Sequence, residues 1–113
     1  MHAPTAIHPV KEELYYSELA RELDLRELVA FFVSELPARV SAIQQAAGDS
    51  DRVELNRLAH QLKGAAGSYG FPPLAQAAAA VERAVRGGQT AEISAAVAQL
   101  SAVCDRIRPG VPE

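Results

Sequence analysis

Asp51 to Tyr69 reads DRVELNRLAHQLKGAAGSY, and how this stretch folds decides how the whole chain folds. Placed on a helix at about 100° per residue, Leu55, Leu58, Ala59, Leu62, Ala65, Ala66 and Tyr69 fall within about 60° of Leu62. Such a stripe is the face that a helix buries. His60 lies about 160° from Leu62, in the company of Asn56, Arg57, Lys63, Gly64 and Gly67, so its imidazole is expected in solvent. Two glycines on that polar face need a reason, because each costs roughly 1 kcal/mol against alanine in a helix interior. Tight helix packing would put them on the buried stripe. Gly64, one turn after His60, instead points to something large that must come close to the imidazole. Gly67 is nearer to Gly70-Phe71-Pro72-Pro73, where a glycine can simply help the helix to end.

Working outward, the chain reads as five helical segments. A short amphipathic helix is expected from about Lys11 to Leu23, anchored by Leu14, Tyr15 or Tyr16, Leu19 and Leu23. Asp24 can cap a second helix running to about Ala47, with Leu28, Phe32, Leu36, Val40, Ile43 and Ala47 inward. Pro37 removes one backbone bond from that helix and predicts a kink rather than two helices. Gly48-Asp49-Ser50 ends it and supplies the cap of the helix carrying His60. A fourth helix begins at Pro72 or Pro73 and ends at Gly87-Gly88, and its run Ala77 to Ala80 allows close helix approach. A fifth starts with Thr90 as cap and stops before Pro109. Short connections favour antiparallel neighbours, so the expected fold is all-α, an antiparallel up-down-up-down four-helix bundle with a short additional N-terminal helix. Residues 1–10 are expected as a flexible segment, 11–108 as one domain and 109–113 as a tail.

Composition narrows the function. The chain has 113 residues, 49% of them apolar and 5% aromatic, enough for one helical core. A net charge of −3 with scattered basic residues argues against nucleic acid as a partner. Cys104 is the single cysteine, which excludes an intrachain disulfide, and its register with Ile93, Val97, Leu100 and Ile107 predicts a buried thiol. There is no apolar stretch for a signal peptide at Met1 to Val10 and no run long enough to cross a bilayer, so a cytoplasmic protein without membrane partners is expected. His2 and His8 lie far from His60 in sequence, and no ligand spacing suggests a metal site. Gly87-Gly88 is a turn between helices rather than a phosphate-cradling loop, so phosphorylation from ATP is not expected.

The chemistry concentrates at His60. An ordinary imidazole has a pKa of about 6.5, so near neutral pH much of it is unprotonated and nucleophilic towards phosphorus. Lys63, three residues on, reaches the same patch and can offset the charge of a phosphoryl group, and Arg57, three residues before, can add to that field. Taken singly, each of these residues also fits an ordinary solvated helix face.

The string Ala59-His60-Gln61-Leu62-Lys63-Gly64, continued by Ala65-Ala66-Gly67-Ser68-Tyr69-Gly70 and then Leu74 and Glu82, resembles the histidine-containing phosphotransfer (HPt) domain. Phe32, Leu36-Pro37, Gly48-Asp49 and Leu55 extend the resemblance, which covers the chain from about Leu25 to Ile107. It implies a carrier, not a turnover enzyme, that takes a phosphoryl group from the aspartate of one receiver domain and passes it to another. By that resemblance His60 accepts the group through Nε2, Lys63 stabilises it, and Gly64, with Gly67, Arg57 and Gln61, receives the docking partner. Response-regulator receiver domains and a hybrid histidine kinase are the implied partners. No cofactor is implied on this chain, Mg2+ being expected on the receiver.

Glu82 occupies the position from which the family often bonds the other ring nitrogen. A carboxylate accepting the Nδ1 proton would leave the Nε2 lone pair free to attack. Glu82 also flanks the stripe of Leu74, Ala78, Val81 and Val85, where it could simply pair with Arg86, one turn on. Two alternatives to a free-standing relay protein stay open at this level. One is a non-phosphorylated docking module for receiver domains, and the other is a segment of a larger histidine kinase. Met1 and the lack of a linker-like C-terminus favour a free-standing chain, and the bundle can bury its stripes as a monomer.

Overall fold

A computed structural model describes residues 13–112. The expected flexible segment 1–10, the start of the expected first helix at Lys11, and Glu113 of the expected tail lie outside the described residues. Four α-helices follow one short 3-10 turn, Glu18–Arg21. They are α1 (Leu23–Gly48), α2 (Arg52–Ser68), α3 (Pro72–Gly87) and α4 (Thr90–Cys104). The connections span only residues 49–51, 69–71 and 88–89, so each helix returns alongside its predecessor. α1 also packs on α4, which closes the ring, and the all-α four-helix bundle expected from periodicity is the fold observed.

The core is one cluster drawn from every helix. Phe32, Leu36 and Ile43 of α1 meet Leu55, Leu62 and Ala66 of α2, Leu74, Ala78 and Val81 of α3, and Ile93, Val97 and Leu100 of α4. α2 and α3 pack most extensively, across the small side chains Ala59, Ala66, Ala77 and Ala78. Phe32 stacks on Tyr69, with ring centroids 4.8 Å apart, and lies 6.0 Å from Phe71, which ties α1 to the α2–α3 connection. In that connection Gly70 has φ +80°, and a Cβ there would lie 2.7 Å from Ser17 Oγ. Only glycine fits. The Ser17 hydroxyl, in turn, donates to the Tyr69 carbonyl at 2.6 Å and accepts from Leu19 N at 3.0 Å.

Several local expectations need correction. The N-terminal helix is reduced to the turn Glu18–Arg21, because residues 13–17 before it are not helical and pair through Tyr15 with the C-terminal segment. Tyr15 N donates to the Arg106 carbonyl at 2.8 Å, and Arg108 N donates to the Tyr15 carbonyl at 2.9 Å. Leu14 and Leu23 are exposed, and the buried anchor is Ala20. In α1, Val29 and Ala46 are buried where Leu28 and Ala47 were expected; Leu28 is exposed and Ala47 half-buried. The stripe is shifted by one residue at each end, and at the N-terminal end α1 packs on the turn, where Arg26 Nε donates to the Ala20 carbonyl. Asp24 sits inside the first turn rather than capping it. The cap of α2 is Asp51, whose side chain accepts from Glu54 N, rather than a residue of 48–50. Thr90 is the first residue of α4, and its hydroxyl accepts from Arg52 Nη2 at 3.2 Å instead of capping. α1 passes through Pro37 as a single helix, and Gly88, at φ +78°, ends α3 in the left-handed conformation.

Candidate functional site

The site grows from the two faces of α2. Its buried face is the stripe built on Leu55, Ala59, Leu62 and Ala66, which fixes the rotation of the helix. Opposite, the His60 side chain is 67% exposed. Its Nδ1 lies 2.9 Å from Glu82 Oε2 on α3. Lys63 Nζ, one turn on, lies 2.7 Å from Glu82 Oε1. One carboxylate therefore holds both groups, and it is itself almost fully buried, at 6% exposure.

The electrostatics follow from those contacts. The Lys63 ammonium holds the Glu82 carboxyl below its ordinary value, burial pushes the other way, and the bond to His60 adds to the lowering. An ionised carboxylate only accepts hydrogen bonds, so it selects the ring tautomer with the proton on Nδ1. The lone pair of a neutral ring is then on Nε2, the nitrogen turned away from Glu82. Of the two readings that the sequence leaves for Glu82, the surface pair with Arg86 is not formed. Its carboxylate points to α2.

The other residues singled out in the sequence lie on the same helix face. A Cβ added at Gly64 or Gly67 would meet no atom within 4 Å, so both glycines leave open space beside His60. The Arg57 guanidinium is engaged by the Glu54 carboxylate, with contacts of 2.6 and 2.8 Å, rather than by the His60 cluster. Gln61 is exposed on the α1 side of the face, where with Ala38, Arg39, Ala42 and Leu58 it lines a shallow groove of about 220 Å3. What the sequence reading missed is the direct pairing of Lys63 with Glu82. The two residues stand on neighbouring helices, and only a pairing rule for helices in contact could have found them. Among the described residues no three His, Cys, Asp or Glu side chains converge as metal ligands, and no helix is long and apolar enough to cross a membrane. His2 and His8 lie outside the described residues. Cys104 is half-buried, and burial, with a smaller contribution from Asp105, pushes its thiol up to about 12.

His60 thus presents an exposed imidazole with a buried carboxylate behind it and bare backbone beside it. The family model for the Hpt domain matches residues 27–110. The chain belongs to the Hpt domain family. Hpt domains serve histidine phosphotransfer in phosphorelays, as phosphocarrier modules that interact with receiver domains and histidine kinases. The match takes in all of α2, α3 and α4 and most of α1, and so every residue of the His60 cluster. Comparison of this Hpt domain with curated proteins and with solved structures gave no match.

Proposed function

We propose that this chain is a histidine phosphotransfer protein of a multistep phosphorelay, carrying a phosphoryl group on His60 between receiver-domain aspartates. The observation that carries the reading is the bond between His60 Nδ1 and the buried Glu82 carboxylate, which leaves Nε2 as the free nucleophile in solvent. In the proposed step the Nε2 lone pair attacks the phosphorus of a receiver's aspartyl phosphate. A P–N bond forms, the P–O bond to the aspartate breaks, and its electron pair leaves with the carboxylate. Glu82 orients the ring and stabilises the charge that develops on it. Lys63 supplies positive charge for the phosphoryl oxygens, and Gly64 and Gly67 give the receiver room, with Arg57 and Gln61 at the edge of the same face. Phosphoryl transfer depends chiefly on positioning and charge, so so sparse a donor site suffices when the receiver contributes Mg2+ and the acceptor carboxylate. The carrier works as a monomeric cytoplasmic unit over residues 11–108, with response-regulator receiver domains and a hybrid histidine kinase as its partners.

The test is transfer of labelled phosphate from phosphorylated receiver domains to the wild type and to His60→Ala. Label on the wild type alone, acid-labile and alkali-stable, is the expected result. Absence of label across a panel of receivers would mean that the domain docks partners without carrying phosphate.

A further inference from the structure

Glu82 holds two groups with its two oxygens, Lys63 Nζ on Oε1 at 2.7 Å and His60 Nδ1 on Oε2 at 2.9 Å. Lys63 therefore has a counter-ion before any phosphoryl group arrives. Nε2 lies on the outer edge of the ring, so an ammonium seated on Oε1 is not seated on a group that Nε2 carries. The lysine side chain is 39% exposed, and its flexible four-carbon stem lets the ammonium swing outward along the open face of α2.

We infer that Lys63 changes counter-ion during transfer, neutralising Glu82 while His60 is free and moving to the phosphoryl oxygens once His60 carries them. This rests on His60 being the phosphoryl acceptor, as proposed above. The charges require a rearrangement of this kind. When Nε2 bonds to phosphorus, the proton on Nδ1 stays in place and the electron pair of the broken P–O bond leaves with the receiver's aspartate. The ring is then cationic and carries a dianionic phosphoryl group. Were Lys63 to stay, two cations would share one buried carboxylate while the dianion beside them lacked a partner. With the exchange, the cationic ring replaces Lys63 as the partner of Glu82, and the ammonium meets the phosphoryl oxygens. The lysine thus contributes only the difference between two ion pairs. A carrier needs that property, because a phosphoryl group held too firmly would not move on.

The chain has two lysines, Lys11 and Lys63, which makes a spectroscopic test direct. In protein labelled with 15N-lysine, the Lys63 ammonium signal is followed before and after treatment with phosphoramidate, a small donor that phosphorylates an imidazole with release of ammonia and without a receiver. The Lys63 signal is expected to move as the 31P signal of phosphohistidine appears. In Glu82→Gln it is expected to start displaced from its wild-type position, the ion pair being absent. A 31P phosphohistidine signal that His60→Ala lacks, with an unmoved Lys63 resonance, would overturn the exchange and leave the carrier reading standing. No phosphohistidine from either phosphoramidate or receivers would remove both. Rates give an independent measure. Lys63→Met is expected to slow acceptance from a receiver at least about threefold more in the Glu82→Gln background than in the wild type, since only where Glu82 is present does Lys63 give up an ion pair to reach the phosphoryl group. Equal factors in the two backgrounds would also overturn the exchange.

Discussion

A carboxylate that is 6% exposed yet ionised is held that way by its neighbours, and Glu82 owes its depressed pKa first to Lys63 and then to His60. Because its native value lies below the ordinary 4.5, the unfolded chain takes up the proton first as pH falls. The stabilisation that Glu82 contributes is therefore present above pH 4.5 and is lost as the pH drops through the native value. Thermal midpoints measured from pH 6 downward are expected to decline more steeply for the wild type than for Glu82→Gln. Parallel curves would show that the ion pair between α2 and α3 adds nothing to stability. Cys104 works the opposite way: its raised pKa of about 12 keeps the thiol neutral at physiological pH and removes it as a rival nucleophile.

Within α2, one helix serves packing and presentation at once. The stripe from Leu55 to Ala66 fixes its rotation in the bundle, and that rotation places His60, Lys63, Gly64 and Gly67 at the surface. A Cβ at Gly64 meets nothing within the chain, so Gly64→Ala is expected to stabilise the helix by up to about 1 kcal/mol and to slow transfer from receivers, because the methyl group enters the space left for the partner. Gly64→Arg is expected to fold equally well by circular dichroism and to accept phosphate from phosphoramidate, but to lose transfer from receivers. Normal receiver transfer in the arginine variant would remove the steric reading of this glycine. The periodicity of α2 was legible in the sequence because a helix that buries one face writes that face as a repeat. The ends of α1 were less legible. Leu28 and Val29 are both apolar, and the choice between them depends on the turn Glu18–Arg21 packed against that end.

Across the whole molecule, the register between α2 and α3 sets the distance from His60 to Glu82, and the connection at residues 69–71 sets the register. Phe32 of α1 clamps that connection by stacking on Tyr69 and Phe71, while Ser17, just before the 3-10 turn, bonds the Tyr69 carbonyl. Arg52 closes the far end, donating to the Gly88 carbonyl at 2.9 Å and to the Thr90 hydroxyl. Phe32→Ala is expected to cost about 3–5 kcal/mol in urea denaturation, through lost burial and a cavity between α1 and the connection. A loss below about 1 kcal/mol would place the clamp in the Ser17 contacts instead.

The sequence by itself determined the four long helices, their ends at Gly48, Gly70 and Gly87-Gly88, the buried stripe of α2 and the exposure of His60. These are local properties, set by period, by backbone punctuation and by which side of a helix is apolar. Tertiary structure alone decided that Glu82 turns to His60 and Lys63 rather than to Arg86. The wheel of α3 places Glu82 at the edge of its stripe, but the rotation of α3 against α2 chooses its partner across 22 residues of chain. Tertiary pairing likewise kept residues 13–16 out of the helix that their pattern suggested. Backbone bonds to Arg106 and Arg108 are contacts between the two ends of the described chain, and no local periodicity encodes them.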